Sequence, residues 1–420
     1  MRCRFCGNPL THEFIDLASA PPSNSFLTKE QLNMPETFYP LRLMVCEKCW
    51  LVQIDEYKKS GEIFNKDYPY FSSYSKTWLE HAKGYVEMIT KKLGLNANSL
   101  VMEIASNDGY LLQYFMEKHI PCLGIEPSAS TARAARKRGI ETLEEFFGVE
   151  LAEKLSNEGN KPDLIVGNNV LAHVPNINDF VKGLKIILKP GGVITMEFPH
   201  LMCLVEGNQF DTIYHEHFSY FSLHTVNRIF SSHGLVLFDV EELSTHGGSL
   251  RIFARHKENA SRVIMPSVTA LLEKEAAKGM LRLDYYLDFQ NKADKVKYAL
   301  LSFLVNQKKA GKRVAAYGAA AKGNTLLNYC GVKKDLIDFV VDASPHKQGK
   351  FLPGSHIPVV AEEKIKSTKP DYVLILPWNI KDEIMEQLSY IHKWDGRFVT
   401  AVPELRIADY RDFINKGLIK

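Results

Sequence analysis

Long apolar runs are missing from this sequence. No stretch approaches the ~20 consecutive apolar residues that a bilayer-spanning helix needs. The opening residues run straight to Cys3 without a charged n-region and an apolar h-region. No membrane span and no signal peptide are therefore expected, and the cytoplasm is the expected compartment. Blocks of like charge are missing as well. Lys and Arg number 52 against 49 Asp and Glu, a formal net charge of +3. No basic cluster is dense enough to form a phosphate-binding stripe, which speaks against nucleic acid as a partner. The short run Arg133–Arg138 reads as a solvated helix face. Internal repeats and low-complexity segments are also absent. Of only seven cysteines, Cys122, Cys203 and Cys330 stand singly in apolar stretches and read as small core residues, since disulfides are not expected in a reducing compartment.

What is present is a globular composition, 45% hydrophobic, 24% charged and 11% aromatic over 420 residues, enough for two or three domains. The other four cysteines form two pairs, Cys3-Arg-Phe-Cys6 and Cys46-Glu-Lys-Cys49. Each C-x-x-C can wrap one side of a tetrahedral ion from a tight turn, so Cys3, Cys6, Cys46 and Cys49 read as a closed, structural Zn²⁺ site with no position left for chemistry. The strand-like Tyr39–Val45 leads into the second pair as in a zinc ribbon. His12 lies nearby but is not needed. Next comes the aromatic stretch Asp67-Tyr68-Pro-Tyr70, which either packs on a neighbouring domain or covers a ligand with phenol donors.

The middle of the chain alternates short apolar strands with helical periodicity, the pattern of a parallel sheet whose ligands sit at the strands' carboxyl ends. A helix over residues 76–93 stops at Gly94. Then Glu103-Ile-Ala105-Ser-Asn107-Asp108-Gly109 is strand, loop and helix start. A second strand ends at Glu126, whose carboxylate can accept both hydroxyls of a ribose. A third ends at Asn168-Asn169, and a Pro-Gly-Gly turn leads into a fourth. Acids at the tips disfavour a diphosphate there and suit a ligand carrying ammonium and sulfonium groups. The series resembles class I S-adenosylmethionine-dependent methyltransferases, with Ala105 where the usual first glycine of the motif would stand. Leu223–His233 reads as a helix capped by Ser222, and two further strands flank His246-Gly247-Gly248-Ser249. That loop is either a surface for close approach to substrate or a tight hairpin connection.

The segment Tyr214-His215-Glu216-His217 concentrates proton chemistry. A carbon nucleophile needs a base aimed at a C–H and a donor for the developing oxyanion; histidine, tyrosine and glutamate can supply base, donor and orienter. The alternative is an aromatic belt with buried, satisfied histidines. Together the paired C-x-x-C, "EIASNDGYLL", "NNVLAHVPN", "YHEHFSYFS", "HGGSLR" and "YGAAAKGNTLLN" resemble the nucleotide-sugar C-methyltransferases along nearly the whole chain.

The resemblance implies an α/β protein of three parts. These are an N-terminal zinc ribbon lobe (1–75), a central class I methyltransferase Rossmann-like domain (76–259) and a C-terminal Rossmann-like α/β lobe (260–420) that helps hold the sugar nucleotide. It implies S-adenosylmethionine as methyl donor and methylation of a ring carbon, typically C3, beside the ketone of a 4-keto deoxysugar nucleotide. His217 would be the base, with Tyr214, Glu216, His173 and Tyr68 around it. Glu103, Ala105, Asn107, Asp108, Gly109, Glu126, Asn168 and Asn169 would hold the cofactor.

In the C-terminal part, Tyr317-Gly318-Ala-Ala-Ala-Lys322-Gly-Asn324 lies between a strand and a helix. A helix N-terminus with a lysine suits a diphosphate; with the resemblance beside it, Tyr317, Gly318, Lys322 and Asn324 join His246, Gly247, Gly248 and Ser249 as expected substrate contacts. Pure packing of the small residues, or a second cofactor such as NAD, remains open at that loop. The partner expected is the small-molecule nucleotide sugar, with the protein a monomer or weak homodimer. The rival functions are an O- or N-methyltransferase and a non-catalytic zinc-ribbon scaffold.

Overall fold

The computed structural model describes residues 1–63 and 71–408; Tyr68 and its neighbours Asp67 and Tyr70 lie outside the described residues. By contacts the chain divides into two compact units. The first gathers Met1–His12, Met44–Met202 and Glu216–Tyr285; the second gathers Glu13–Leu43, Cys203–His215 and the chain from Tyr286 onward. Strands β1 (His12–Ala20) and β2 (Tyr39–Val45) are hydrogen-bonded neighbours. Strand β3 (Val52–Ile54) follows the second cysteine pair.

In the first unit, α1 (Lys76–Leu93) starts where the Ser75 side chain accepts from Trp78 N and stops at Gly94, which takes φ +66°. That conformation suits glycine and closes the helix. Its buried residues Ala82, Tyr85, Val86 and Ile89 recur at helical spacing. Then come β4 (Val101–Ile104), α2 (Leu112–Met116), β5 (Cys122–Ile125), α3 (Ala129–Lys137), β6 (Thr142–Leu143), α4 (Val149–Asn157), β7 (Leu164–Asn168), α5 (Ile177–Ile187) and β8 (Val193–Pro199). After β9 (Ser219–Tyr220) and α6 (Leu223–Ser232), β10 (Leu235–Leu243) and β11 (Ser249–His256) close the series.

These strands build a seven-stranded sheet in the order β10-β11-β8-β7-β4-β5-β6. Pairings β4–β5, β4–β7, β5–β6 and β7–β8 are parallel, and β11 runs antiparallel to both β8 and β10. Successive strand residues feed opposite faces. Met102 and Ile165 enter one core, Val101, Leu164 and Val166 the other, as a sheet covered on both sides requires. Three of the four N-terminal cysteines, with Leu51, belong to the first of these cores. The zinc ribbon is thus continuous with the packing of the central domain, and β3 pairs antiparallel with β9 (Val52↔Tyr220, Gln53↔Ser219).

The second unit contains α7 (Phe289–Lys309), β12 (Val314–Tyr317), α8 (Ala321–Cys330), β13 (Val340–Val341), β14 (Val359–Val360), β15 (Tyr372–Ile375), β16 (Arg397–Thr400) and β17 (Arg406–Ala408). The sheet order is β14-β13-β12-β15-β16-β17, parallel except for the last pair. Residues between the two cysteine pairs pack here. Phe14 stacks on Phe289 at 4.7 Å, Gly354 N donates to Glu36, and Leu27 bridges to Phe351.

The loop after β4 carries strain. Ala105 sits at φ +57°, a left-handed conformation that costs a residue with a Cβ ~1 kcal/mol or more. Gly109, at φ +77°, could not carry a Cβ without meeting Ile140 at 2.2 Å. Ala105→Gly should therefore stabilise the protein by up to about 1 kcal/mol and raise Tm by about 2 °C, measured by scanning calorimetry, whereas Gly109→Ala should lower it.

Candidate active site and metal centre

The four N-terminal sulfurs converge, all lying within 4.8 Å of one another. Cys3 Sγ is 3.5 Å from Cys49 Sγ, and Cys6 Sγ is 3.6 Å from Cys46 Sγ. A tetrahedron with Zn–S bonds near 2.3 Å has sulfur edges of about 3.8 Å, so the set fits Zn²⁺. Hydrogen bonds from the other thiols and from Gln53 Nε2, 3.3 Å away, favour a thiolate at Cys3. His12 turns instead to Glu47, at 3.1 Å, and takes no part in the cluster. The central domain holds both knuckles by their carbonyls. Asn178 Nδ2 donates to Arg4 and Phe5, Thr225 Oγ1 to Cys49 and Arg228 to Lys48.

At the carboxyl ends of β4, β5 and β7 the polar residues gather as the sequence order suggests. Glu126 Oε2 accepts from Asn107 N at 3.0 Å and Oε1 from Ser128 N at 2.9 Å. One carboxylate thus ties the β4 loop to the start of α3. Asn107 Oδ1 accepts from Ser72 N, and Asp108 Oδ2 accepts from Ser73 Oγ. Arg138 Nη2 donates to Ser73 Oγ at 2.8 Å and reaches Asp108 at 3.4 Å. The basic run is exposed, as the reading of a solvated face expects, and at the end of α3 Arg138 reaches the loop from that face. Burial pushes the Glu103 carboxyl well above the usual range, opposed by the Tyr110 hydroxyl and reinforced by Asp108 and Glu126. Burial also raises Glu126, against the two N–H groups it accepts.

Several buried polar atoms here find no hydrogen-bond partner among the described residues: both side-chain atoms of Asn168, Asn169 Oδ1 and Asp108 Oδ1. Such groups cost ~1–3 kcal/mol each when unsatisfied. Asn169 is at φ +54°, its N–H held by Glu197 O at 2.7 Å.

Tyr214-His215-Glu216-His217 is neither helix nor strand but a turn. His215 and Glu216 are buried, and His217 is 8% exposed. The unit boundary falls inside the motif, after His215. His215 Nε2 lies 3.2 Å from the carbonyls of Tyr39 and Pro40, two acceptors that require its proton. In the first unit, His173 and His217 meet edge to face at 4.6 Å, and Tyr220 lies beyond at 6.0 Å. His173 Nδ1 donates to Glu216 O at 2.8 Å. A carbonyl partner fixes the proton on Nδ1 and leaves Nε2 as the basic nitrogen of the neutral ring. Burial lowers the His173 pKa to about 4. The segment carrying His173 directly follows Asn168-Asn169, so the imidazole pair stands at the same end of the sheet as the polar cluster.

The loop His246-Gly247-Gly248 is the connection between β10 and β11. It is closed by Gly248 N to Thr245 O and places His246 at φ +56° with its ring 5.1 Å from Trp78. Ser249 Oγ donates to Thr245 O. A network that sequence reasoning did not single out anchors this hairpin. Glu197, fully buried on β8, accepts from Arg251 Nη2 (2.7 Å), Thr245 Oγ1 (3.0 Å) and His81 Nε2 (2.9 Å). Burial alone would raise Glu197, but His81 and Arg251 hold it below the usual carboxylate range. Glu197 and Arg251 are register partners across β8 and β11; the readable signal was the single acid in the largely apolar β8.

In the second unit, Tyr317 is 8% exposed and Gly318 follows it at φ +90°, where a Cβ would strike Pro377. Lys322 donates to Asn379 Oδ1 at 2.7 Å and lies over the Trp378 ring. Nearby, Asp211 is buried, accepts from Trp378 Nε1 and is pushed up to about 6 by burial. Asn324 Nδ2 donates to Ser23 O. Ala319 N is already bonded to Asp342 Oδ2, at 2.8 Å.

Three family models cover most of this chain. A zinc binding domain matches residues 3–64, a methyltransferase domain 78–240 and the C-methyltransferase C-terminal domain 244–403. C-methyltransferase NovU of Streptomyces niveus is 34% identical over 405 residues, 96% of either chain. The chain belongs to this C-methyltransferase family. A ubiquinone biosynthesis O-methyltransferase of Chelativorans is 28% identical over 95 residues, 22% of this chain and 38% of its own. Magnesium protoporphyrin IX methyltransferase from Synechocystis, solved with bound SAH, overlaps 42% of this chain and 81% of its own, at 14% identity and a TM-score of 0.33.

As a family member the protein is an S-adenosylmethionine-dependent C-methyltransferase with a four-cysteine zinc site. The O- or N-methyl and scaffold alternatives fall away. No helix among the described residues is long and apolar enough to cross a membrane. The orphaned polar atoms of Asp108, Asn168 and Asn169 beside Glu126 fit a cofactor with amine, hydroxyl and adenine groups.

Asn168→Ala should leave the apo-protein as stable as the wild type or more so, since it deletes two unsatisfied buried atoms. It should weaken adenosylhomocysteine binding about tenfold, read by calorimetric titration. His173 titrates below its ordinary ~6.5, so the unfolded chain takes up this proton first. Stability from this group is whole above pH ~6.5 and is lost as pH falls toward about 4. His173→Asn should flatten the fall of Tm across that window.

Proposed function

We propose that this enzyme methylates a ring carbon, typically C3, beside the ketone of a 4-keto deoxysugar nucleotide, in the cytoplasm and as a monomer or weak homodimer. The observation that carries the reading is the edge-to-face His173–His217 imidazole pair beside the strand end that bears Asn168 and Asn169. Transfer to carbon needs a nucleophile made by removing a C–H proton, and that requires a base held within about 3 Å of it. His217 takes the proton alpha to the ketone, and the C–H electron pair becomes an enolate. The Tyr214 hydroxyl stabilises the enolate oxygen, and Glu216 and His173 orient the base; His173, neutral at physiological pH, adds no charge that would oppose protonation of His217. The bound cofactor supplies an electrophilic methyl whose C–S electron pair returns to sulfur. Glu126 accepts from the ribose hydroxyls, Glu103 and Asp108 favour the positive groups, and Ala105, Asn107, Gly109, Asn168 and Asn169 shape the cradle.

The C-terminal lobe (260–420) serves the nucleotide, with the zinc lobe (1–75) and the central domain (76–259) as the other functional parts. Tyr317, Gly318, Lys322 and Asn324 contact the nucleotide, while His246, Gly247, Gly248 and Ser249 face the sugar. A diphosphate at α8 requires the Lys322 ammonium to exchange Asn379 for phosphate oxygen. Tyr68 remains assigned on the resemblance alone.

His217→Asn should lower turnover about 10²–10⁴-fold and leave S-adenosylmethionine affinity unchanged by calorimetry. Near-full activity would remove His217 from the role. The wild-type enzyme given a 4-keto deoxysugar nucleotide in D₂O without cofactor should exchange the acceptor C–H, seen by NMR; no exchange with substrate bound would exclude enolisation.

A further inference from the structure

Arg4 lies between the first two zinc ligands, yet its side chain points away from the four sulfurs. Nη1 donates to Pro175 O at 2.9 Å, Nη2 donates to Ile54 O, and the guanidinium carbon lies 5.4 Å from the Phe218 ring centroid. Pro175 is two residues beyond His173, and Phe218 immediately follows His217. Ile54 closes the set, because its N–H donates to Phe218 O at 3.1 Å and Phe218 N donates to Ala172 O at 2.7 Å. One guanidinium therefore touches all three stretches of chain that flank the imidazole pair.

The main chain of Arg4 is fixed just as firmly. Its N–H donates to Gln53 Oε1 at 2.8 Å, and the Gln53 amide, fully buried, donates in turn to Cys3 Sγ. Gln53 lies within β3, which pairs with β9 directly after Phe218. A planar fork with several donors suits such a junction, and a lysine ammonium on its flexible stem does not reproduce it.

We propose that Arg4 is a positioning residue for the His173–His217 pair, coupling occupancy of the zinc site to the geometry of the base. The proposal rests on the assignment of His217 as base. When bound, the metal immobilises Cys3 and Cys6 on either side of Arg4, and the guanidinium carries that rigidity to the carbonyls around both histidines. A base displaced by a fraction of an ångström loses rate without losing cofactor affinity.

The test follows the two imidazoles by NMR of histidine-labelled protein, assigned with His173→Asn and His217→Asn, together with zinc content, cofactor affinity and kinetics. Arg4→Met should keep its zinc and bind S-adenosylmethionine within about twofold of wild type. It should also shift both histidine signals and lower kcat about tenfold or more at unchanged KM for the cofactor. Arg4→Lys should fall between the two, and chelation of the wild type should move the same signals. Arg228→Met is the control, since Arg228 anchors the second knuckle through Lys48 O. Unmoved signals in Arg4→Met, or in Arg4→Lys should the Met variant not fold, would overturn the proposal, and so would equal shifts in Arg228→Met. The NMR arm needs no substrate, so it stands or falls separately from the sugar reading and from the effect of His217→Asn on turnover.

Discussion

Where a parallel strand ends, its backbone groups leave the sheet and must find partners elsewhere. At β4 that partner is the Glu126 carboxylate. One oxygen holds Asn107 N and the other Ser128 N, so a single acid ties the loop after β4 to the start of α3. In the same loop Ala105 and Asn107 take left-handed conformations, and Asp108 faces Ser73 and Arg138. The Glu103, Asp108 and Glu126 carboxyls gather at this edge, and burial raises Glu103 and Glu126. A positively charged ligand group beside these carboxyls would favour their ionised form.

The four-cysteine centre plays a different part from that of a clip on a loose lobe. Its sulfurs belong to the same hydrophobic core as β4 and β7, and side chains from α5 and α6 hold its turns. The chain between the two knuckles leaves this unit and packs in the other one. Closing a loop of that length with a metal restricts the unfolded ensemble and fixes the path of β3, whose partner strand begins just after the histidine motif.

The legible parts of the sequence were those carried by local chemistry. Strand, loop and acid along 99–126, the stop at Gly94 and the helix behind Ser222 depend on neighbours in sequence, and the structure has them there. The histidine motif was recognisable but its conformation was not, because Tyr214–His217 obeys neither period and becomes a turn, one of whose partners, His173, lies some forty residues away. The Glu197–Arg251–His81 network escaped notice for the same reason. Its members lie in three separate segments, and only register across β8 and β11, with α1 above, makes them a group. Position after a strand suggests Lys322 as an anion-binding lysine; that it also meets the Asn379 amide and the Trp378 indole is set by the fold.

By itself the sequence determined the cysteine spacing that demands a tetrahedral metal, the strand–loop–helix order and the acids at the strand ends, because each depends on residue type and short-range geometry. Tertiary structure alone decided which side chains meet. It brought two imidazoles from separate segments edge to face, matched a buried acid to a base across two strands, and set an arginine from the metal turn against the chain beside both histidines. Such contacts depend on register and packing over long sequence separations, which no local pattern encodes.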